Sequence, residues 1–292
     1  MTRFRTPEAR RTQFALRIVV LVVLVATITP SSFLPEAKAG SAAGWAVRCA
    51  FVRHLRDDPI VYPSRPGASH LHAFFGNRST DADSTLTSLR RGATSCGHAD
   101  DKAAYWIPAA YSGTTLLTPS LGSFYYRSRT YPASAIRPFP AGLKMIAGSS
   151  TAANPQRSQV MYWICEDGGP QAQTSRPVDC GSGYVSVQIK FPDCWDGTHL
   201  DSSDHRSHMA YSVDPDDDGR FSCPASRPVP VPRLQYSIDF PLHDGTRLRL
   251  SSGAYYTMHA DFFNAWTQTE LASLVANCLN RQVNCGVFGL GR

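Results

Sequence analysis

The sequence predicts a mainly β fold: a single β-sandwich domain, jelly-roll-like, with a C-terminal helix and disulfide bridges. Three observations predict it. The apolar stretches are short, aromatic or β-branched, and separated by turn clusters drawn from 21 glycines and 21 prolines. From Val185 to Phe191 apolar and polar residues alternate, as a strand with one buried face requires. Eight cysteines (Cys49, Cys96, Cys165, Cys180, Cys194, Cys223, Cys278 and Cys285) lie beyond the N-terminal forty residues, an even number that reads as four disulfides of an exported protein.

In chain order, residues 1–39 read as a signal peptide. Arg3, Arg5, Arg10 and Arg11 form its basic start, Ile18 to Ile28 its apolar run, and Ala37-Lys38-Ala39 its cleavage site. The run is shorter than the roughly 20 residues that cross a bilayer, so residues 40–292 are expected as one secreted, extracellular domain with no membrane attachment after cleavage. Candidate strands are Trp45–Val52, Tyr105–Ala110, Phe124–Tyr126, Val160–Cys165, Tyr184–Phe191, His208–Val213, Leu234–Phe240 and Leu248–Leu250. A short helix is expected from Ser84 to Arg91, stopped by Gly92. The C-terminal helix is expected after Thr267-Gln268-Thr269-Glu270, a capping-box pattern followed by Leu271, Leu274, Val275 and Leu279 at helical spacing. Pro228, Pro230 and Pro232 predict an extended edge segment. Short spacing around turn residues pairs Cys278 with Cys285 and Cys165 with Cys180.

Net charge is +6 over the whole chain. Residues 1–39 hold six basic and two acidic side chains, so the remainder stands near +2. That balance argues against a nucleic-acid partner, which needs a concentrated basic surface.

Chemistry-bearing residues fall in clusters. His70 and His72, in Ser69-His70-Leu71-His72, project from one face if the segment is a strand, so both imidazoles can reach one ligand. Residues 193–208 hold three histidines and four aspartates, among them Asp196, His205 and His208, beside Trp195 and much loop-forming sequence. A third stretch, Tyr255 to Trp266, carries His259 and Asp261 two residues apart. Tyr256, Asn264 and Trp266 there, with Trp195, are candidates for sugar binding. Asp214, Asp216, Asp218 and Gly219 match positions 1, 3, 5 and 6 of a calcium loop, but position 12 falls on Ala225 and the bidentate glutamate is missing. No GxSxG, Walker loop, GxGxxG or HExxH pattern is present.

Taken in order, several stretches resemble the domain-of-unknown-function family 1996. They are Asp58-Pro59-Ile60-Val61, Ser69-His70-Leu71-His72, Phe75-Gly76, Phe191 to Gly197, Leu200-Asp201-Ser202, Asp204 to His208, and His259-Ala260-Asp261-Phe262 with Asn264 and Trp266. The resemblance spans roughly Trp45 to Cys285. It departs from the expected glycine at Ala260 and Ala265, which puts loop geometry beside His259 in question. It implies a secreted protein of bacterial or fungal type, sometimes joined to cell-wall carbohydrate-binding modules, and supplies no reaction. It also implies that His70, His72, Asp196, His205, His208, His259 and Asp261 form one site.

Three function classes follow. A carbohydrate-active enzyme, a glycoside hydrolase or polysaccharide lyase, would use carboxylates from Asp196, Asp201, Asp204 and Asp261, or a His205 or Tyr256 base. A metal-dependent hydrolase would hold a divalent metal on His70 and His72, completed by His205, His208 or His259 and an aspartate. A cell-wall glycan-binding protein would use the aromatics alone. In each case the expected partner is an extracellular polysaccharide.

Overall fold

Alternating and fully apolar runs become strands of one large antiparallel sheet in the computed structural model, which describes residues 1–2, 43–130, 132–167 and 172–290. Apart from its first two residues, the predicted signal segment lies outside the described residues. Ten strands build the sheet: β1 (Gly44–Leu55), β2 (His72–Gly76), β3 (Ala104–Pro108), β4 (Leu121–Arg127), β5 (Lys144–Gly148), β6 (Met161–Glu166), β7 (Tyr184–Lys190), β8 (Arg233–Asp239), β9 (His259–Phe263) and β10 (Asn284–Phe288). Their order is β5-β9-β3-β2-β1-β4-β8-β7-β6, and β10 adds to β1 in parallel.

Strand β1 organises the sandwich. Its first half pairs with β4 and its second half with β2, with a register shift between Phe51 and Arg53. One long strand therefore belongs to two half-sheets, and the core lies between them. Tyr105 of β3 stacks on Phe124 of β4 at 3.9 Å between centroids, and the Tyr236 hydroxyl of β8 donates to the Asp261 carbonyl of β9 at 2.6 Å. Alternate residues face this core: Ala73 and Phe75 on β2, Ala260 and Phe262 on β9. The other face of β2, β3 and β9 carries a smaller apolar cluster of Phe74, Trp106, Ile146 and Phe263, closed over by Ile60. That second face positions the candidate site.

Two smaller sheets flank the large one. One joins Cys194–Trp195 to Met209–Ala210 and Val229–Pro230, so the proline-rich segment is an edge strand as expected. The other joins Ala110–Ser112, Thr115–Leu117, Leu248–Leu250 and Gly253–Ala254. All eight cysteines are bridged, as Cys49–Cys96, Cys165–Cys180, Cys194–Cys223 and Cys278–Cys285, which includes both pairs expected from spacing.

Four local expectations are corrected. The His208–Val213 strand contracts to Met209–Ala210, because Ser212 bends to donate its N–H and hydroxyl to Asp193. Strand β7 is buried on both faces, since outward Gln188 bonds Ser237 and Gln235 of β8 in a closed amide ladder. The C-terminal helix runs from Gln268 to Leu274 and continues as a π turn over Val275–Leu279, and the Thr267 side chain makes no cap bond. Glu270 instead approaches His98 at 3.3 Å. A capping box does form at the other helix, Leu86–Arg91, between Thr85 and Ser88.

Candidate functional site

The strand period of two settles which side chains reach the site. His72 opens β2 and points away from the main core, as Phe74 does, while Ala73 and Phe75 point into it. On β9, His259 and Asp261 share the outer face and Ala260 takes the inner one. Strand β3 lies between β2 and β9, with Trp106 opposite both Phe74 and Asp261. Ala260 is thus a mid-strand core residue, and the departure from glycine there does not touch a loop.

Three imidazoles converge. Ring centroids lie 4.2 Å apart for His70 and His72, 5.0 Å for His70 and His259, and 5.8 Å for His72 and His259. One nitrogen from each falls within a 4.8 Å group, and Asp58, His72 and Asp261 form a second such group. The rings are oriented from behind. His72 Nδ1 donates to the Asp57 carbonyl at 3.0 Å and His259 Nδ1 to the Thr257 carbonyl at 2.9 Å. A carbonyl accepts only, so these contacts fix the Nδ1–H tautomer and leave each Nε2 with a free lone pair. The Asp57 carboxylate holds its own loop by accepting from the N–H groups of Gly67 and Ala82.

The inner ends of these groups lack partners. His70 Nε2, His72 Nε2 and both Asp261 carboxylate oxygens are buried without a hydrogen bond among the described residues. Asp261 Oδ2 lies 3.8 Å from His259 Nε2. Buried polar atoms are almost always paired in folded proteins, so four orphans around one point make this the candidate place for a bound group. A cavity of about 80 Å³ opens there, lined by Asp58, Tyr62, His70, Arg206, His259 and Asp261 among others.

Burial sets the charge states. It holds His70 down at about 4, with the Arg56 charge adding to the effect, and His259 at about 3, with His70 adding to it. His72 lies well below the usual histidine range, first from burial and then from His70 and His259. Asp261 is pushed well above the carboxylate range by burial and by Asp58, and Asp58 is raised by burial against two backbone N–H bonds from Val61 and Ile60. Near neutral pH the histidines are therefore uncharged, and burial shifts both acids toward their protonated forms.

The second predicted cluster divides. His205 bonds Asp201 at 2.9 Å and lies near enough to Asp58 to influence it, and Arg206 reaches into the cavity. Lys144 ties Asp201 (3.5 Å) to the Pro59 carbonyl (3.4 Å), which fastens this loop over the site. His208 is corrected as a metal ligand: one ring nitrogen meets Ser202 Oγ at 2.9 Å and the other the Lys144 carbonyl at 2.7 Å. Of the three histidines expected as alternatives to complete the set, His259 is the one grouped with His70 and His72. Asp196 accepts from His199 and from the Thr198 and His199 N–H groups, in an open groove away from the three histidines. Asp204 likewise caps the N–H groups of Arg206 and Ser207.

The remaining predictions sort by burial. Trp266 is fully buried and donates to the Tyr126 hydroxyl, and Asn264 is fully buried and braces the Phe139 and Pro140 carbonyls. Both are core residues rather than sugar platforms. Trp195 donates its indole N–H to the His199 carbonyl at 2.7 Å, and Tyr256 sits in a 3-10 turn outside the cavity. The calcium loop is an acidic turn: Asp214 accepts from the N–H groups of Asp218 and Gly219, and Asp218 from that of Arg220. Asp58 and Arg206, which sequence reasoning did not assign, stood inside the family-like stretches Asp58-Pro59-Ile60-Val61 and Asp204 to His208.

No curated protein and no solved structure matches the chain. A family model described as Domain of unknown function (DUF1996) matches residues 58–266, from the Asp58 of the cavity to the core residue Trp266, and the chain belongs to that family.

Proposed function

We propose that this is a secreted, metal-dependent hydrolase, with a divalent ion on His70, His72 and His259 and an extracellular polysaccharide as its substrate class. One observation carries the reading: neutral imidazoles, two of them tautomer-fixed, converge on a buried point where His70 Nε2, His72 Nε2 and the Asp261 carboxylate have no partner. Three protein ligands and an open position describe a catalytic zinc site. A bound ion would supply a water acidic enough to act as nucleophile near neutral pH. With an ion held there, the Asp261 carboxylate would serve as the proton acceptor, and Arg206 would face charge that develops on the substrate. The four disulfides support secretion.

A second reading has its own support. Asp58 and Asp261 present carboxylate oxygens within 4.8 Å of each other, both with raised affinity for protons. Such a pair suits acid–base glycoside hydrolysis, where retaining enzymes hold their carboxyl groups about 5–5.5 Å apart.

Elemental analysis separates the two. Protein purified from an oxidising compartment should carry close to one zinc or similar ion per chain, and the His70→Ala/His72→Ala double variant should carry none. A folded, disulfide-intact wild-type protein that binds no transition metal, even after incubation with it, would sink the metal reading and leave the carboxyl pair.

A further inference from the structure

One end of the large sheet gathers four cations. Arg127 ends β4, Lys190 ends β7 and Arg233 opens β8. The pairings Arg233–Arg127 and Gln235–Lys190 set these three on neighbouring strands, and Arg129 follows just after β4. Like charges set across from one another weaken a sheet. Among the described residues none of the four has an ion-pair partner.

Two carboxylates are near and both are committed. Asp193 attracts Arg233 and Arg129 but accepts from Ser212 N–H and Oγ at 2.8 and 2.9 Å. Asp214 attracts Arg129 while capping Asp218 and Gly219. Aromatic faces carry part of the load: Arg127 lies over Tyr125 and Lys190 over Tyr162, each at 4.6 Å, and Arg129 lies over Phe221. Arg233 Nε is buried with no acceptor among the described residues. Burial first, and then the other arginines, lower the proton affinity of both Lys190 and Arg233.

Arg129, Lys190 and Arg233 line one open cavity of about 560 Å³, with Ser158, Gln173 and Phe221. That volume holds sugar units rather than a lone ion. Its hydroxyl and amide groups suit sugar hydroxyls, and the Phe221 ring offers an apolar face. A neighbouring depression of about 240 Å³ is lined by Val160, Pro192 and Tyr211, beside Gln159, Lys190 and Ser212 of the cationic cavity in the chain. It shares Ile146 and Arg206 with the histidine cavity. The three hollows follow one another along residues 206–213.

We propose that the Arg129–Lys190–Arg233 cavity is the subsite for a carboxylate-bearing unit of an acidic polysaccharide, whose chain runs on toward the histidine centre. The anion site stands on the cationic cavity alone, and only the direction of the polymer rests on the hydrolase reading. Guanidinium groups match a carboxylate bidentately and hold it more strongly than neutral donors do. Single-stranded nucleic acid asks for successive aromatic platforms, whereas the cavity offers the single ring of Phe221.

Titration calorimetry on the purified, disulfide-intact protein tests this with polygalacturonate, alginate and hyaluronate. Dextran serves as the neutral control, and inorganic phosphate and oligo-deoxythymidine as rival anions. At least one polyuronate should bind, more weakly as salt rises, and dextran should not. Arg233→Gln should lower that affinity about tenfold or more, the scale of one hydrogen bond to a charged group. Arg129→Gln, at a half-buried position, should do the same with an unchanged melting temperature, which guards against misfolding of the first variant. Free galacturonate, too short to reach from this cavity to the histidine centre, should bind the wild type and lose affinity in both arginine variants, so loss of the metal reading would leave this result intact. The proposal is overturned if no polyuronate binds, if dextran binds equally, or if both arginine variants keep full affinity. Phosphate binding as tightly as any polymer would make this a free-oxyanion site, and tighter oligo-deoxythymidine binding a nucleic-acid site; either result overturns the glycan assignment.

Discussion

Asp261 sits where burial and chemistry pull apart. Its two oxygens are buried without partners, its neighbour Asp58 is also an acid, and both effects oppose its charge. A divalent ion on the adjacent imidazoles would reverse that balance, because opposite charge at short range favours the carboxylate. Zinc should therefore raise the melting temperature of the wild type. Asp261→Asn should show a smaller shift and His259→Ala almost none, as read by thermal denaturation with and without the ion. Asp101 tells a different residue-scale story. A chain of donors runs from Trp266 Nε1 to the Tyr126 hydroxyl (2.9 Å), on to Tyr105 (2.7 Å), and ends on Asp101 Oδ2 (2.6 Å). Burial nevertheless pushes Asp101 up to about 7 against that bond. The folded value lies above the unfolded one, so the favourable contribution is complete below about pH 4 and is lost as pH rises through about 7. Asp101→Asn should thus gain melting temperature relative to wild type between about pH 5 and pH 8; a difference that stays flat across that range would refute the assignment.

Among the elements, β5 and β9 hold the site through a close backbone approach. Gly148 pairs with His259 and has a φ of +76°, and a Cβ there would lie 2.7 Å from the Met258 carbonyl. Gly148→Ala combines an unfavourable backbone region with a backbone clash, and should cost about 1–3 kcal/mol in urea unfolding while displacing His259. The disulfides should differ by the loop they close. Cys49 on β1 joins Cys96 across a sequence separation of 47, whereas Cys278 and Cys285 are separated by 7. Chain entropy favours the longer closure by roughly 1–2 kcal/mol. Cys49→Ala/Cys96→Ala should therefore lower the denaturant midpoint more than Cys278→Ala/Cys285→Ala. The strands were legible where β-branched and aromatic residues cluster, as in β1, β4, β7 and β8. Strands β2, β5, β9 and β10 were missed because His72–Gly76, Lys144–Gly148, His259–Phe263 and Asn284–Phe288 are short and carry few β-branched residues. Burial on both faces, imposed by neighbouring strands, is what makes β5 and β9 strands.

For the whole molecule, two faces of one sheet assembly do different work. The inner faces close the core through Tyr105, Phe124, Tyr236 and Phe262, and the outer face of β2, β3 and β9 carries the histidine centre. Because all eight cysteines are bridged and none is free, a thiol assay on the denatured, unreduced protein should find no reactive cysteine. The sequence by itself determined the β class, the C-terminal helix and two of the disulfide pairs, because residue period, turn composition and short spacing are local properties. It also marked His70, His72, His259 and Asp261 by their i,i+2 spacing, which on strand β9 commits His259 and Asp261 to one face. Only the tertiary structure decided which of those faces meet. Strand order β9-β3-β2 is not sequence order, so nothing local says that His259 arrives beside His70 while His208 turns to Ser202 and the Lys144 carbonyl. Trp266 and Asn264 show the same limit, because an aromatic or amide that fills a core and one that meets a sugar have the same chemistry until burial separates them.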